Sequence, residues 1–159
     1  MPGEREQTVF FSTWYEQFPS VKETMMEQEY WQWLMQVRDE VNKVLEARRK
    51  AGDIGSALDA GVVLYGENSA YEKLAQLGDE LRFVLITSEA QAFPADQKDG
   101  DAIETSIPGL WAKVLVSGNE KCVRCWQRRS DVGSDSAHKE LCLRCITNVD
   151  GEGEGRQYA

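Results

Sequence analysis

Four cysteines stand in the pattern Cys122-x2-Cys125-x16-Cys142-x2-Cys145, and the chain has no others. A CxxC turn aims two sulfurs at one point, and two such turns separated by 15–20 residues make a tetrahedral thiolate site. Zinc or iron–sulfur chemistry prefers such ligands. With cysteine at all four positions, none is open to water, so the expected role is one structural Zn²⁺ rather than a catalytic metal. Residues 118–159 need that support. They are poor in aliphatic residues and rich in Gly, Asp, Arg and Cys, too short and too polar to bury a core of their own. Two disulfides are the weaker reading, because the first residues, MPGEREQTVFFSTW, do not read as a secretory signal and a cytoplasmic location is expected. A redox CxxC normally comes as one pair at a helix start. A rubredoxin-like iron centre fits the sulfurs, but no other redox feature accompanies it.

The chain carries a net charge of -9, the wrong sign for a generic nucleic-acid binder. Its charge is unevenly spread. Residues 121–145 hold Lys121, Arg124, Arg128, Arg129, Lys139 and Arg144 against Asp131, Asp135 and Glu140, a local basic excess of three. Arg124 lies between two ligands of a rigid turn and is expected to point outward. Trp126 follows the second sulfur and either covers the metal site or offers a face to an unstacked base beside an arginine. Arg144 is the equivalent of Arg124 in the second turn, and Arg128 completes the candidate RNA-binding set. His138, the lone histidine, is expected to be an exposed loop residue, since four cysteines already complete the site.

Upstream, apolar residues at helical spacing (Met26, Tyr30, Trp33, Leu34, Val37, Val41, Val44, Leu45) predict a helix from about Val21 to Lys50. Ser20 with Glu23 reads as a capping box, and Gly52 as the stop. Trp31 and Trp33 are read as core packing. A strand is expected over 57–65, a short helix over 69–77, a strand ending the run ELRFVLIT (80–87), a loop over 88–110 and a strand over 111–116. The acidic stretch 96–104 is a candidate for low order. The expected fold is α+β: a long N-terminal helix, a small mixed sheet with short helices, and a four-cysteine zinc module. Its divisions are 1–52, 53–117 and 118–159. No stretch approaches the roughly 20 apolar residues of a membrane span, and no Walker, GxGxxG or GxSxG motif occurs.

The segments KCVRCWQRRSDVG and LCLRCITNVDGEGEGRQYA resemble the C-terminal end of bacterial isoleucyl-tRNA synthetases. VFFSTWYEQFP, VRDEVNKVLEARRKAGDIGSALDAGVVLY and LGDELRFVLITS resemble the stretch before it, so the likeness covers nearly all the chain except 88–109. The ending Arg156-x-x-Ala159 also looks like that family's carboxyl end. The resemblance implies the end of the helical anticodon-binding region followed by α+β and zinc portions. It implies tRNA(Ile) and the remainder of the synthetase as partners, with no membrane or DNA expected. The parent reaction attaches isoleucine to tRNA at the expense of ATP. Its HIGH and KMSKS signatures are absent from this chain, so the chain itself is expected to be non-catalytic. The resemblance also implicates Arg124 and Trp126 in tRNA contact. Two other readings remain open. One is a zinc-stabilised protein–protein interaction module. The other, a zinc finger of formamidopyrimidine-DNA glycosylase type, is weakened because Gly3, not an acid, follows Pro2.

Overall fold

The computed structural model describes residues 8–14 and 26–159. A long helix leads. α1 runs from Gln28 to Ala51 and buries Tyr30, Leu34, Val37, Val41, Val44 and Leu45, a stripe at three- and four-residue steps. It starts later than the periodicity suggests, because Met26 sits in a bend and Glu27 is extended; the Ser20–Glu23 capping box lies outside the described residues. Gly52 ends the helix at φ +83°, a conformation in which a side chain would be strained, and the N–H groups of Gly52 and Asp53 satisfy the carbonyls of Arg49 and Arg48.

A four-stranded mixed sheet follows, ordered β2-β1-β4-β3. The central strand β1 (Ala60–Gly66) is buried throughout. It pairs in parallel with β2 (Glu89–Pro94) and antiparallel with β4 (Leu110–Val116), which also pairs with the two-residue β3 (Ile103–Glu104). Register places Ala90, Val62 and Val114 side by side, and likewise Ala92, Leu64 and Ala112. These residues meet α1, α2 (Asn68–Ala75) and α3 (Leu81–Leu85) in one apolar core. Tyr30 Oη donates to the Lys73 carbonyl at 2.9 Å and ties α1 to α2. Trp31 and Trp33 are half-buried against the core, as expected.

Two expectations fail here. The run ELRFVLIT is not a strand: a 3-10 turn at Gly78–Glu80 leads into α3, which ends at Ile86 in the left-handed region. The second strand lies instead at Glu89–Pro94, inside the expected loop. A short apolar run fits a buried helix as well as a strand, and here both Leu81 and Leu85 reach the core. The acidic stretch 96–104 runs from the 3-10 turn at Ala95–Gln97 to β3. It folds over the reverse face of the sheet, where Asp99 accepts from Tyr65 Oη at 2.9 Å and from Lys113 Nζ at 2.7 Å. Asp101 lies 2.9 Å from the same ammonium, and Lys98 stacks over Trp111. No helix among the described residues is long and apolar enough to cross a membrane.

Candidate metal centre and the surface it fixes

The sulfurs of Cys122, Cys125, Cys142 and Cys145 all lie within 4.8 Å of one another. Residues 121–128 form a narrow hairpin closed by a bridge between Lys121 and Arg128 and by the Cys122 N–H donating to the Gln127 carbonyl at 2.9 Å. The first cysteine turn is its tip. The second turn is the start of α4 (Leu143–Asp150), whose N-cap residue is Cys142. Backbone amides face the sulfurs, as Cys142 N does toward Cys122 Sγ at 3.4 Å.

The donor set fits one zinc ion. A tetrahedron with Zn–S of about 2.3 Å has S···S edges of about 3.8 Å, and Cys125 Sγ and Cys142 Sγ stand 3.8 Å apart. Three of the cysteines are buried and Cys125 is partly so. Burial raises the Cys122 thiol, but N–H donors from Cys125, Cys142 and Arg124 outweigh it and bring it down to about 6. Burial pushes Cys142 up to about 12. Four thiolates this close repel one another, and a divalent cation at their centre relieves the conflict. The protein therefore binds a single structural Zn²⁺, which these four cysteines are positioned to hold.

The four candidate RNA-facing residues divide into two pairs. Arg124 is exposed as expected, but its guanidinium turns back, with Nη1 3.6 Å from Cys145 Sγ, so its position is tied to the metal cluster. Trp126 is 61% exposed and does not cover the cysteines; Lys121 Nζ lies 5.7 Å from its ring centre. Its φ is +64°. Left-handed backbone costs a residue with a β-carbon about 1–2 kcal/mol, so glycine would be the easy choice there. By contrast, Arg128 and Arg144 are engaged within the protein. Arg128 Nε bonds Asp59 at 2.8 Å and its Nη1 donates to the Asn119 carbonyl at 3.2 Å. The guanidinium holds the Asp59 carboxyl below the usual aspartate range. Arg144 bonds Glu154 at 2.8 Å and stacks against Phe83, as Arg82 and Arg156 also do. His138 is not a ligand. It is half-buried and paired with Asp150 at the end of α4, rather than free in a loop.

The sequence reading missed Gln127 and Arg82. Both are buried, and they bond each other between the module and the sheet unit. Nothing in a run of polar residues marks which one is turned inward.

This architecture, a small mixed sheet carrying a four-thiolate metal knuckle, defines a zinc-finger protein of the structural kind. The family described as "Zinc finger found in FPG and IleRS" matches residues 119–148. All 159 residues align with isoleucine–tRNA ligases: 51% identical to that of Coxiella burnetii (strain Dugway 5J108-111), 50% to that of Nitrosococcus oceani and 48% to that of Azotobacter vinelandii. The alignments cover the whole chain but only 17% of each relative. Over its full length the chain is similar to a part of isoleucine–tRNA ligases, and its metal module matches the zinc-finger family named above.

Proposed function

We propose that this chain is the tRNA-reading end of an isoleucine–tRNA ligase, and that its metal module presents Arg124 and Trp126 to the anticodon end of tRNA(Ile). The observation that carries this reading is Trp126: a large aromatic side chain, 61% exposed, held in left-handed backbone beside an arginine anchored on the metal cluster. Strain of this kind, kept where glycine would relieve it, points to use. Anticodon loops offer splayed single-stranded bases, which stack on aromatic rings and bond to guanidinium groups. Metal coordination fixes the two residues beforehand, so less ordering opposes binding. Arg128 and Arg144 serve this surface from behind, by holding the module to its support.

Attachment of isoleucine to tRNA, the ATP it consumes and the remainder of the enzyme as partner belong to the same proposal, with catalysis in other parts of the protein and a cytosolic location. So does the division of the chain at 52 and 117. The test is binding of the zinc-loaded chain to tRNA with the isoleucine anticodon and to the same tRNA with a swapped anticodon, at fixed salt. Arg124→Ala and Trp126→Ala should each abolish the preference. Equal binding to both tRNAs by all three proteins would remove the reading and favour a protein-binding role.

A further inference from the structure

Arg82, Thr87, Ser88 and Gln127 are the buried polar or charged residues among those described, and all four lie at one junction. There the loop between α3 and β2 meets the residues just after the first cysteine turn. Gln127 is 6% exposed, and both ends of its side-chain amide are bonded. Its Oε1 accepts from Arg82 Nη1 at 2.5 Å, and its Nε2 donates to the Thr87 carbonyl at 3.2 Å. Arg82 is itself fixed, because Asp79 takes its Nε at 2.9 Å and its Nη2 at 2.8 Å. The Thr87 carbonyl faces Gln127 because Ile86 closes α3 at φ +56°, a conformation that a β-branched residue rarely adopts. Next door, Ser88 Oγ accepts the Arg128 N–H at 2.6 Å.

The backbone of Gln127 belongs to the metal turn: its carbonyl accepts the Cys122 N–H at 2.9 Å. Trp126 is therefore strung between a metal ligand and a residue whose side chain is clamped in the sheet unit. Rotating Gln127 out of the clamp would leave a buried guanidinium donor and a buried carbonyl without partners, which is costly. Two strained residues, Ile86 and Trp126, thus flank one buried bond network.

We propose that Gln127, clamped by Arg82 and the Thr87 carbonyl, is a positioning residue that locks Trp126 in its left-handed, solvent-facing conformation before RNA arrives. The consequence for RNA rests on the function proposed above; the conformational part does not. Zinc ligation would fix Cys125, on one side of Trp126. It is the clamp that holds the residue on the other side of Trp126, and so links the sheet unit to the reading surface.

The experiment is fluorine NMR on the zinc-loaded chain carrying 5-fluorotryptophan, with the Trp126 resonance assigned by its loss in Trp126→Phe. A single sharp Trp126 line is expected for the parent. Gln127→Ala should broaden or split it while zinc content and the amide protection of β1 and β4 stay unchanged. Arg82→Lys keeps the charge but loses the planar fork that joins Asp79 to Gln127, and should do the same; it decides the matter if Gln127→Ala sheds zinc. An unchanged Trp126 line in the deciding variant would overturn the proposal. In tRNA binding, Gln127→Ala should weaken affinity about tenfold when Trp126 is present and add nothing to Trp126→Ala. An equal loss with and without Trp126 would make Gln127 a module anchor only. If the fluorine line responds but the parent does not bind tRNA, the positioning role stands and the RNA reading falls.

Discussion

The sheet unit and the metal module are held together by different physics. Helices α1, α2 and α3 and the sheet share one core of buried aliphatic side chains, and none of its fully buried members comes from residues 118–159. The buried cluster of the module is Cys122, Cys142 and Cys145, with only Cys125, Val132 and Leu141 packed against it. The first unit gains stability from apolar area removed from water. The second gains it from a metal, and it meets the first chiefly through hydrogen bonds, ion pairs and the stacking of Arg144 and Arg156 on Phe83. Asp59–Arg128, Gln127–Thr87, Arg129–Ser88 and Asn119–Glu89 are all polar contacts. Such a joint fixes direction as well as proximity, which suits the proposed role of the module in aiming two side chains.

Metal removal should break the comparison open most widely. Structural zinc contributes on the order of 10 kcal/mol of apparent folding free energy to small modules. Chelation or Cys122→Ser should therefore erase amide protection across 119–150 while β1 and β4 keep theirs, read by hydrogen exchange. Simultaneous loss in both regions would mean that they fold as one unit. The converse perturbation is Leu34→Ala. Leu34 is fully buried in α1, and its truncation should cost about 2–5 kcal/mol. Thermal unfolding should shift accordingly, with zinc stoichiometry unchanged in the folded protein.

Smaller changes sharpen the contrast within the module. Trp126→Gly should leave stability unchanged or raise it by about 1 kcal/mol, because glycine accepts the left-handed backbone without strain. The same change should abolish tRNA binding. A marked loss of stability would instead show that Trp126 packs for structure. The smallest effect concerns segment 151–159. Glu80 accepts the N–H groups of Gln157 and Tyr158 at 2.6 Å and of Ala159 at 2.8 Å. Burial raises its carboxyl, but those three donors outweigh it and hold it below the usual glutamate range. A depressed carboxyl contributes fully above its unfolded pKa, and the contribution fades as pH falls through the folded value. The amide shifts of residues 157–159 should thus titrate below the ordinary glutamate range. In Glu80→Gln the transition should vanish.

Much of this architecture was legible in the residues alone. The helix of α1 follows from its apolar stripe, β1 from a β-branched run and β4 from alternation around Lys113. The cysteine spacing foretold the metal centre, since ligand geometry in a CxxC turn depends on a few adjacent residues. The strand β2 was not legible. Its residues, EAQAFP, have little intrinsic strand preference, and they are extended because β1 offers a free edge for parallel pairing. The run before it looked like a strand because short apolar segments carry no usable periodicity, and only the shape of the core decided for a helix.

The same division runs through the site. Ligand identity and number, and the placing of Arg124 and Trp126 beside the ligands, are local facts, written into neighbouring positions of the chain. Which arginines stay available is not local. Arg128 meets Asp59 and Gln127 meets Arg82 across separations of 69 and 45 residues, and only the folded chain brings them together. Sequence by itself determined the metal and its ligands, because coordination chemistry needs only the right atoms at short spacing. Tertiary structure decided which charges face solvent and which are spent inside, because burial and pairing depend on what the rest of the chain places alongside.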